Sequence, residues 1–280
     1  MKSLNNPHTE LLKKVISIKR RFLAMYKSAN AGHIGSALSC AEILTFIQFA
    51  WRQPGDEMIM SKGHAAAALY SVLAEDGHLS EDDIKTFYKN DTLLSAHPPA
   101  KGIKGIPFAT GSLGHGLSLS AGIALAAKFK KETKTVFCLT SDGELNEGST
   151  WEAAQFISKF ELTNLVWLID YNKLQGFGTT DEVMDPNSPD DKLKAFGFEV
   201  FNANGHDFRD LSAAKIARSQ SKTKPFAIIC HTKKGNGWEV YENMLDSHYQ
   251  PITDSQYEQI TSLLDIEYRE LSNGVHSKIS

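Results

Sequence analysis

Apolar residues at Leu11, Leu12, Val15, Ile18, Phe22, Met25 and Tyr26 recur at helical spacing, so residues 9–28 read as an amphipathic helix. Residues 36–50, 65–75 and 80–88 continue the helical pattern between short glycine-containing joints. From 117 to 128 small residues dominate, which suits a helix packed closely against another backbone. The period then changes. Residues 135–140 form a continuous apolar run that stops at Ser141-Asp142-Gly143, a turn signal. A helix is expected over 149–160, with Ser149 and Glu152 spaced as a capping box. A second apolar run, 165–169, ends at Asp170-Tyr171-Asn172. Two such runs joined by a helix should be parallel strands covered on both faces. Further strands are expected at 198–201 and 226–230 around a helix at 211–219, and a last helix at 255–271. Repeats, low-complexity tracts and a Pro/Gly/Ser linker are missing from the sequence, so residues 1–280 read as one α/β domain. Its architecture is a parallel sheet flanked by helices, with residues 250–280 as C-terminal helix and tail.

Composition narrows the function classes. Hydrophobic residues make up 41% and charged residues 22% of 280, with a net charge of -3. Those values exclude a disordered chain and a disulfide scaffold, and give no basis for nucleic-acid or membrane partners. Cys40, Cys138 and Cys230 each lie in an apolar stretch and read as buried free thiols in a reducing compartment. Residues 1–7 lack the apolar core of a signal peptide, and the small-apolar run at 121–127 is too short to cross a bilayer. The expected location is cytoplasmic.

Asp142 and Asn172 stand just past two consecutive buried strands, thirty residues apart. Ligands of open parallel sheets bind beyond the carboxyl ends of the strands, and a right-handed crossover brings both residues to that edge. A carboxylate and an amide oxygen are hard ligands suited to Mg²⁺, and Gly143 permits close approach of a phosphate. Either residue alone would read as a turn. Their pairing favours a metal–diphosphate site. Gly32-His33, Gly63-His64 and Gly114-His115 each precede helical sequence, where free N–H groups attract anions. Gly77-His78 and Gly205-His206 read as loops. His97 lies in Ser95-Ala96-His97-Pro98-Pro99. The glycines at 111, 114 and 116 have the wrong spacing for a nicotinamide-dinucleotide fingerprint, which argues against a dehydrogenase.

Together these segments resemble the transketolase family. The resemblance rests on Asn30-Ala31-Gly32-His33-Ile34-Gly35, Ser61-Lys62-Gly63-His64, Ala96-His97-Pro98 and Thr110-Gly111-Ser112-Leu113-Gly114-His115-Gly116. It continues through Ser141-Asp142-Gly143-Glu144-Leu145-Asn146-Glu147-Gly148 and Asp170-Tyr171-Asn172-Lys173-Leu174, so it covers most of the chain in the family's order. Only the family's diphosphate-binding domain fits this length. The chain is therefore similar to the N-terminal subunit of a split transketolase, whose partner carries the pyrimidine-binding domain. The resemblance implies thiamine diphosphate and Mg²⁺ as cofactors and a two-plus-two heterotetramer. Asp142, Asn172 and the Leu174 carbonyl would hold the metal, with Gly143 against the diphosphate. His64 and the backbone of Gly111, Ser112 and Leu113 would contact the cofactor. His33, His97 and His248 would face a sugar or sugar-phosphate substrate, His248 also lying near the diphosphate. Glu147 would join a carboxylate network at the subunit interface.

Three positions depart from the family pattern. Ser141 replaces a glycine before Asp142, Gly176-Phe177-Gly178 replaces an apolar residue, Asp and Gly, and Tyr249 follows His248 where a glycine is usual. The implied activity is transfer of a two-carbon ketol unit from a ketose to an aldose. A pathway-specific relative acting on a modified or nucleotide-linked sugar, and a non-catalytic cofactor-binding regulatory subunit, are the alternatives.

Overall fold

Buried strands with no polar face need cover on both sides, and the sheet is built accordingly. A computed structural model describes residues 8–184 and 188–274. Its strands are β1 (Glu57–Met60), β2 (Val136–Ser141), β3 (Leu165–Tyr171), β4 (Glu199–Asn204) and β5 (Phe226–His231). They form one sheet in the order β1-β2-β3-β5-β4, every neighbouring pair parallel. The helices are α1 (Thr9–Ala29), α2 (Ile34–Phe46), α3 (Ala66–Glu75), α4 (Glu81–Ile84), α5 (Gly116–Lys130), α6 (Gly148–Lys159), α7 (Thr180–Val183), α8 (Pro189–Ala195), α9 (Phe208–Gln220) and α10 (Asp254–Ser272). Alternate residues of the central strands feed two cores. Phe137, Leu139, Val166 and Leu168 pack with α1, α2, α3 and α9, whereas Cys138, Leu165, Trp167 and Ile169 pack with α5 and α6.

The expected parallel strand–helix–strand unit is present as β2-α6-β3. Three details differ from expectation. Strand β1 is additional, because four residues are too few to display a period and two of them are Met. Residues 80–88 are helical only over Glu81–Ile84, and the chain leaves the helix before Tyr88, which has a φ of 59°. Helix α6 begins at Gly148 with Glu147 as its cap residue, and no side-chain capping bond forms there. Ser149 instead donates its hydroxyl to the Gly114 carbonyl at 2.9 Å, drawn away by a loop distant in sequence.

Residues 34–51, α2 with a π-helical continuation at Ile47–Trp51, are long and apolar enough to cross a membrane. They are 83% buried within the fold, which makes them a core helix. The three cysteines are buried and free, as expected. Residues 1–7 and 275–280 lie outside the described residues, and with them the N-terminal reading and the end of the tail.

Candidate functional site

The carboxyl ends of β2 and β3 lie side by side, with Ser141 opposite Asp170 in register. The Asp142 amide donates to the Asp170 carbonyl at 3.2 Å, which fixes Asp142 at this edge. One carboxylate oxygen of Asp142 accepts from the Gly143 amide at 2.8 Å, while the other, Oδ2, is buried without a hydrogen-bond partner. Burial, reinforced by the neighbouring Asp170, pushes the Asp142 carboxyl above its ordinary range. Asp142 is thus a buried acid whose second oxygen lacks a donor.

Asp170 has the opposite surroundings. It accepts from Lys62 and Thr232, and from Ser39 at 2.6 Å. Burial raises its pKa, but the Lys62 ammonium and the hydroxyls outweigh that, so its carboxyl is held below the ordinary range. Lys62 also donates to the Ser36 carbonyl at 3.0 Å, so this pair joins α2, the end of β1 and the end of β5 under the site.

Asn172 turns its amide oxygen onto the Leu174 N–H at 3.1 Å, and Lys173 between them takes a left-handed φ of 63°. The Leu174 carbonyl accepts from Lys234 Nζ at 2.8 Å. Lys234 is buried, and burial lowers its pKa to about 8; its Nζ lies 2.7 Å from His248 Nδ1. Asn146 donates to the Gln175 side chain at 3.2 Å, tying the loop after β2 to the loop after β3. Among the described residues no three His, Cys, Asp or Glu side chains form a metal-binding group. The set at this edge is of another kind: one carboxylate, one amide oxygen and one backbone carbonyl. The partnerless Asp142 oxygen among hard oxygen donors fits a Mg²⁺–diphosphate unit, and the second lone pair of the Leu174 carbonyl remains for it.

Four histidines form a wall beside this edge. The His33 ring lies 5.6 Å from His64, 6.4 Å from His97 and 5.2 Å from His248, and His64 lies 5.5 Å from His248. They come from the start of α2, the end of β1, the loop before α5 and the loop before α10, and close backbone contacts hold them together. His33 has a left-handed φ of 72°, a conformation that costs a non-glycine residue about 1 kcal/mol, and its N–H donates to the His248 carbonyl at 2.9 Å. A Cβ on Gly63 would stand 2.7 Å from the Thr110 carbonyl carbon, and one on Gly111 would stand 2.8 Å from the His97 ring. Glycine is required at both for the loops to meet. Burial lowers the pKa of all four histidines, to about 4 at His33 and about 3 at His248, so the wall is uncharged at neutral pH.

A further network supports the loop at 111–116. Glu144 is buried and accepts from Ser61 and from the Gly114 amide at 2.8 Å, while burial raises its pKa to about 7. Glu147 is exposed on the same side, next to Gly114. Ser112 is exposed too, and Gly111 and Leu113 are partly so. His115 is exposed and stands apart from the wall, its ring 3.2 Å from the Leu113 carbonyl. His206 lies in a loop and pairs with Glu42 at 3.0 Å.

Sequence reasoning missed Lys62, Asp170, Glu144 and Lys234. The first three lie inside segments already singled out, where their burial was the missing signal. Lys233-Lys234 reads as solvated charge, and only packing separates the exposed first lysine from the buried second.

A family model described as transketolase, thiamine diphosphate binding domain, matches residues 12–272. An apulose-4-phosphate transketolase subunit of Phocaeicola vulgatus is 38% identical over 250 residues, covering 86% of this chain and 89% of its own length. The 6-deoxy-6-sulfo-D-fructose transketolase subunit of a Clostridium species is 32% identical over 259 residues, covering 89% and 94%. Among solved structures, a Campylobacter jejuni transketolase superposes with a TM-score of 0.79 at 27% identity over 95% of this chain. This chain spans only 48% of that one, about half its length.

Proposed function

The chain belongs to the transketolase family through its thiamine diphosphate-binding domain, and on that premise we propose that it is the diphosphate-binding subunit of a two-component transketolase. It would transfer a two-carbon ketol unit from a ketose to an aldose, as a single domain working beside a pyrimidine-domain subunit in a two-plus-two complex in the cytoplasm. The observation that carries this reading is the buried, partnerless Asp142 oxygen at the joined ends of β2 and β3, an edge that Lys234 ties to the wall of uncharged histidines through the Leu174 carbonyl and His248.

Asp142, Asn172 and the Leu174 carbonyl would hold Mg²⁺, with Gly143 and Lys234 toward the diphosphate. Thiamine diphosphate supplies the carbanion and the electron sink of this chemistry when bound. The chain's own residues orient and exchange protons around it. His64 and the Gly111-Ser112-Leu113 backbone would line its path. His33 and His97 are neutral, so each can accept a proton from a substrate hydroxyl at one ring nitrogen while donating from the other, whereas His248 accepts from Lys234 at Nδ1 and is left with an Nε2–H to donate to a substrate oxygen. Glu147, exposed beside Gly114, would meet carboxylates of the partner. The outer side of α5, where Ser118, Gly122 and Ala126 are exposed, offers a close backbone approach for the same assembly.

The test is co-expression with the candidate partner followed by a screen of ketose donors against aldose acceptors. Thiamine diphosphate-dependent ketol transfer by the complex, and none by this chain alone, is the expected result. Robust transfer by the isolated chain would overturn the two-component reading. Cofactor binding by a complex inactive on every sugar pair would favour a regulatory subunit.

A further inference from the structure

Two of the departures from the family pattern meet in space. Tyr249 folds back from the loop before α10 so that its hydroxyl lies over Gly176, where any Cβ would collide with it. Its carbonyl lies equally close over Gly32, so glycines seat both ends of the tyrosine. The ring stands 4.5 Å from His248 and 6.4 Å from His33, on the histidine wall itself. Tyr249 is nevertheless 54% exposed, so solvent reaches the residue even with its hydroxyl seated against Gly176.

We propose that Tyr249, seated by Gly176, is a specificity-determining residue that hydrogen-bonds a neutral hydroxyl or carbonyl oxygen of the sugar substrate and narrows the wall beside His33 and His248. This rests on the ketol-transfer reading and deepens it. A glycine after His248 would leave that part of the wall open. A side chain at position 176 would leave the phenol no seat. The two departures therefore act as one unit, which neither shows alone in the sequence.

The structure supplies a variant that moves the phenol without removing it. Gly176 has no left-handed φ, and its close neighbour is the far end of a flexible side chain, so Gly176→Ala should fold normally and push Tyr249 aside. In the assembled complex, Tyr249→Phe and Gly176→Ala should each raise KM for the donor or the acceptor about tenfold, the loss of one hydrogen bond, with kcat retained. Tyr249→Phe in the Gly176→Ala background should add nothing further, because both act on the same contact. Tyr249→Gly should widen the range of accepted sugars. Thermal stability and thiamine diphosphate affinity should not change in any of these variants. A wild-type complex that transfers no ketol unit would overturn the functional reading, and this proposal with it. An active wild type with unchanged KM values and sugar range in every variant would overturn this proposal alone.

Discussion

Asp142 and Asp170 are buried acids at the ends of neighbouring strands, yet their surroundings are opposite. Asp170, below the site, is satisfied by an ammonium and two hydroxyls from three other elements. Asp142, at its edge, keeps one oxygen with no partner. A buried charge that is fully paired holds a fold together, whereas one left half-paired costs stability unless a ligand completes it. The lesson is local: neither burial nor an orphaned oxygen marks a functional carboxylate by itself, since buried Glu144 keeps an orphaned oxygen too, and Asp142 is singled out by its place at the joined ends of β2 and β3. Glu42 supports this from outside the site. Buried on α2, it is closed by Lys19 at 2.7 Å and His206 at 3.0 Å, and its role is structural.

The strongest way to break the comparison is Lys62→Met, which strands the Asp170 charge in the interior. Removing one member of a buried pair costs about 3–5 kcal/mol, so Tm should fall by roughly 10 °C. The double variant Lys62→Met with Asp170→Leu should recover most of that loss. A melting temperature unchanged by Lys62→Met would mean that the pair does not support the site.

Asp142→Ala should do the reverse. Removing a half-satisfied buried acid should leave the stability of the apoprotein within about 1 kcal/mol of wild type. Thiamine diphosphate affinity in the complex should drop about a hundredfold or more, since the proposed Mg²⁺ site would lose its only charged side-chain ligand. Calorimetric titration and thermal melts on the same protein give both numbers, and unchanged affinity would reduce Asp142 to a turn residue.

Glu42 sharpens the contrast through pH. Burial opposes its ionisation, but Lys19 and His206 win, and its pKa falls to about 2 from 4.5. The stability this contributes, about 3 kcal/mol, is present above pH 4.5 and is lost as pH falls through about 2. Glu42→Gln should lower the urea midpoint at pH 7 and narrow its gap to wild type near pH 2. An equal gap at both pH values would show that the charge pairing contributes nothing.

The smallest effect concerns the wall. His33→Asn tolerates the left-handed backbone, so Tm and cofactor affinity should hold while kcat/KM drops about tenfold or more. Normal kinetics with a lowered Tm would make His33 a helix-start residue and nothing else.

The sequence by itself determined the parallel β2-α6-β3 unit, because continuous apolar runs and their turn signals are carried by neighbours along the chain. It determined for the same reason that Asp142 and Asn172 stand at adjacent strand ends, and it singled out His33, His64, His97 and His248 by motif. Tertiary structure alone decided which polar groups are paired. Lys62 and Asp170 are 108 residues apart, so no local pattern could join them or separate the closed Asp170 from the open Asp142. Ser149 lost its expected capping role to a carbonyl 35 residues away, and β1 gained its identity only by lying against β2. The Tyr249 seat belongs here too: absent side chains at positions 32 and 176 leave no trace in hydrophobic periodicity, and their meaning appears only when a distant loop fills the space.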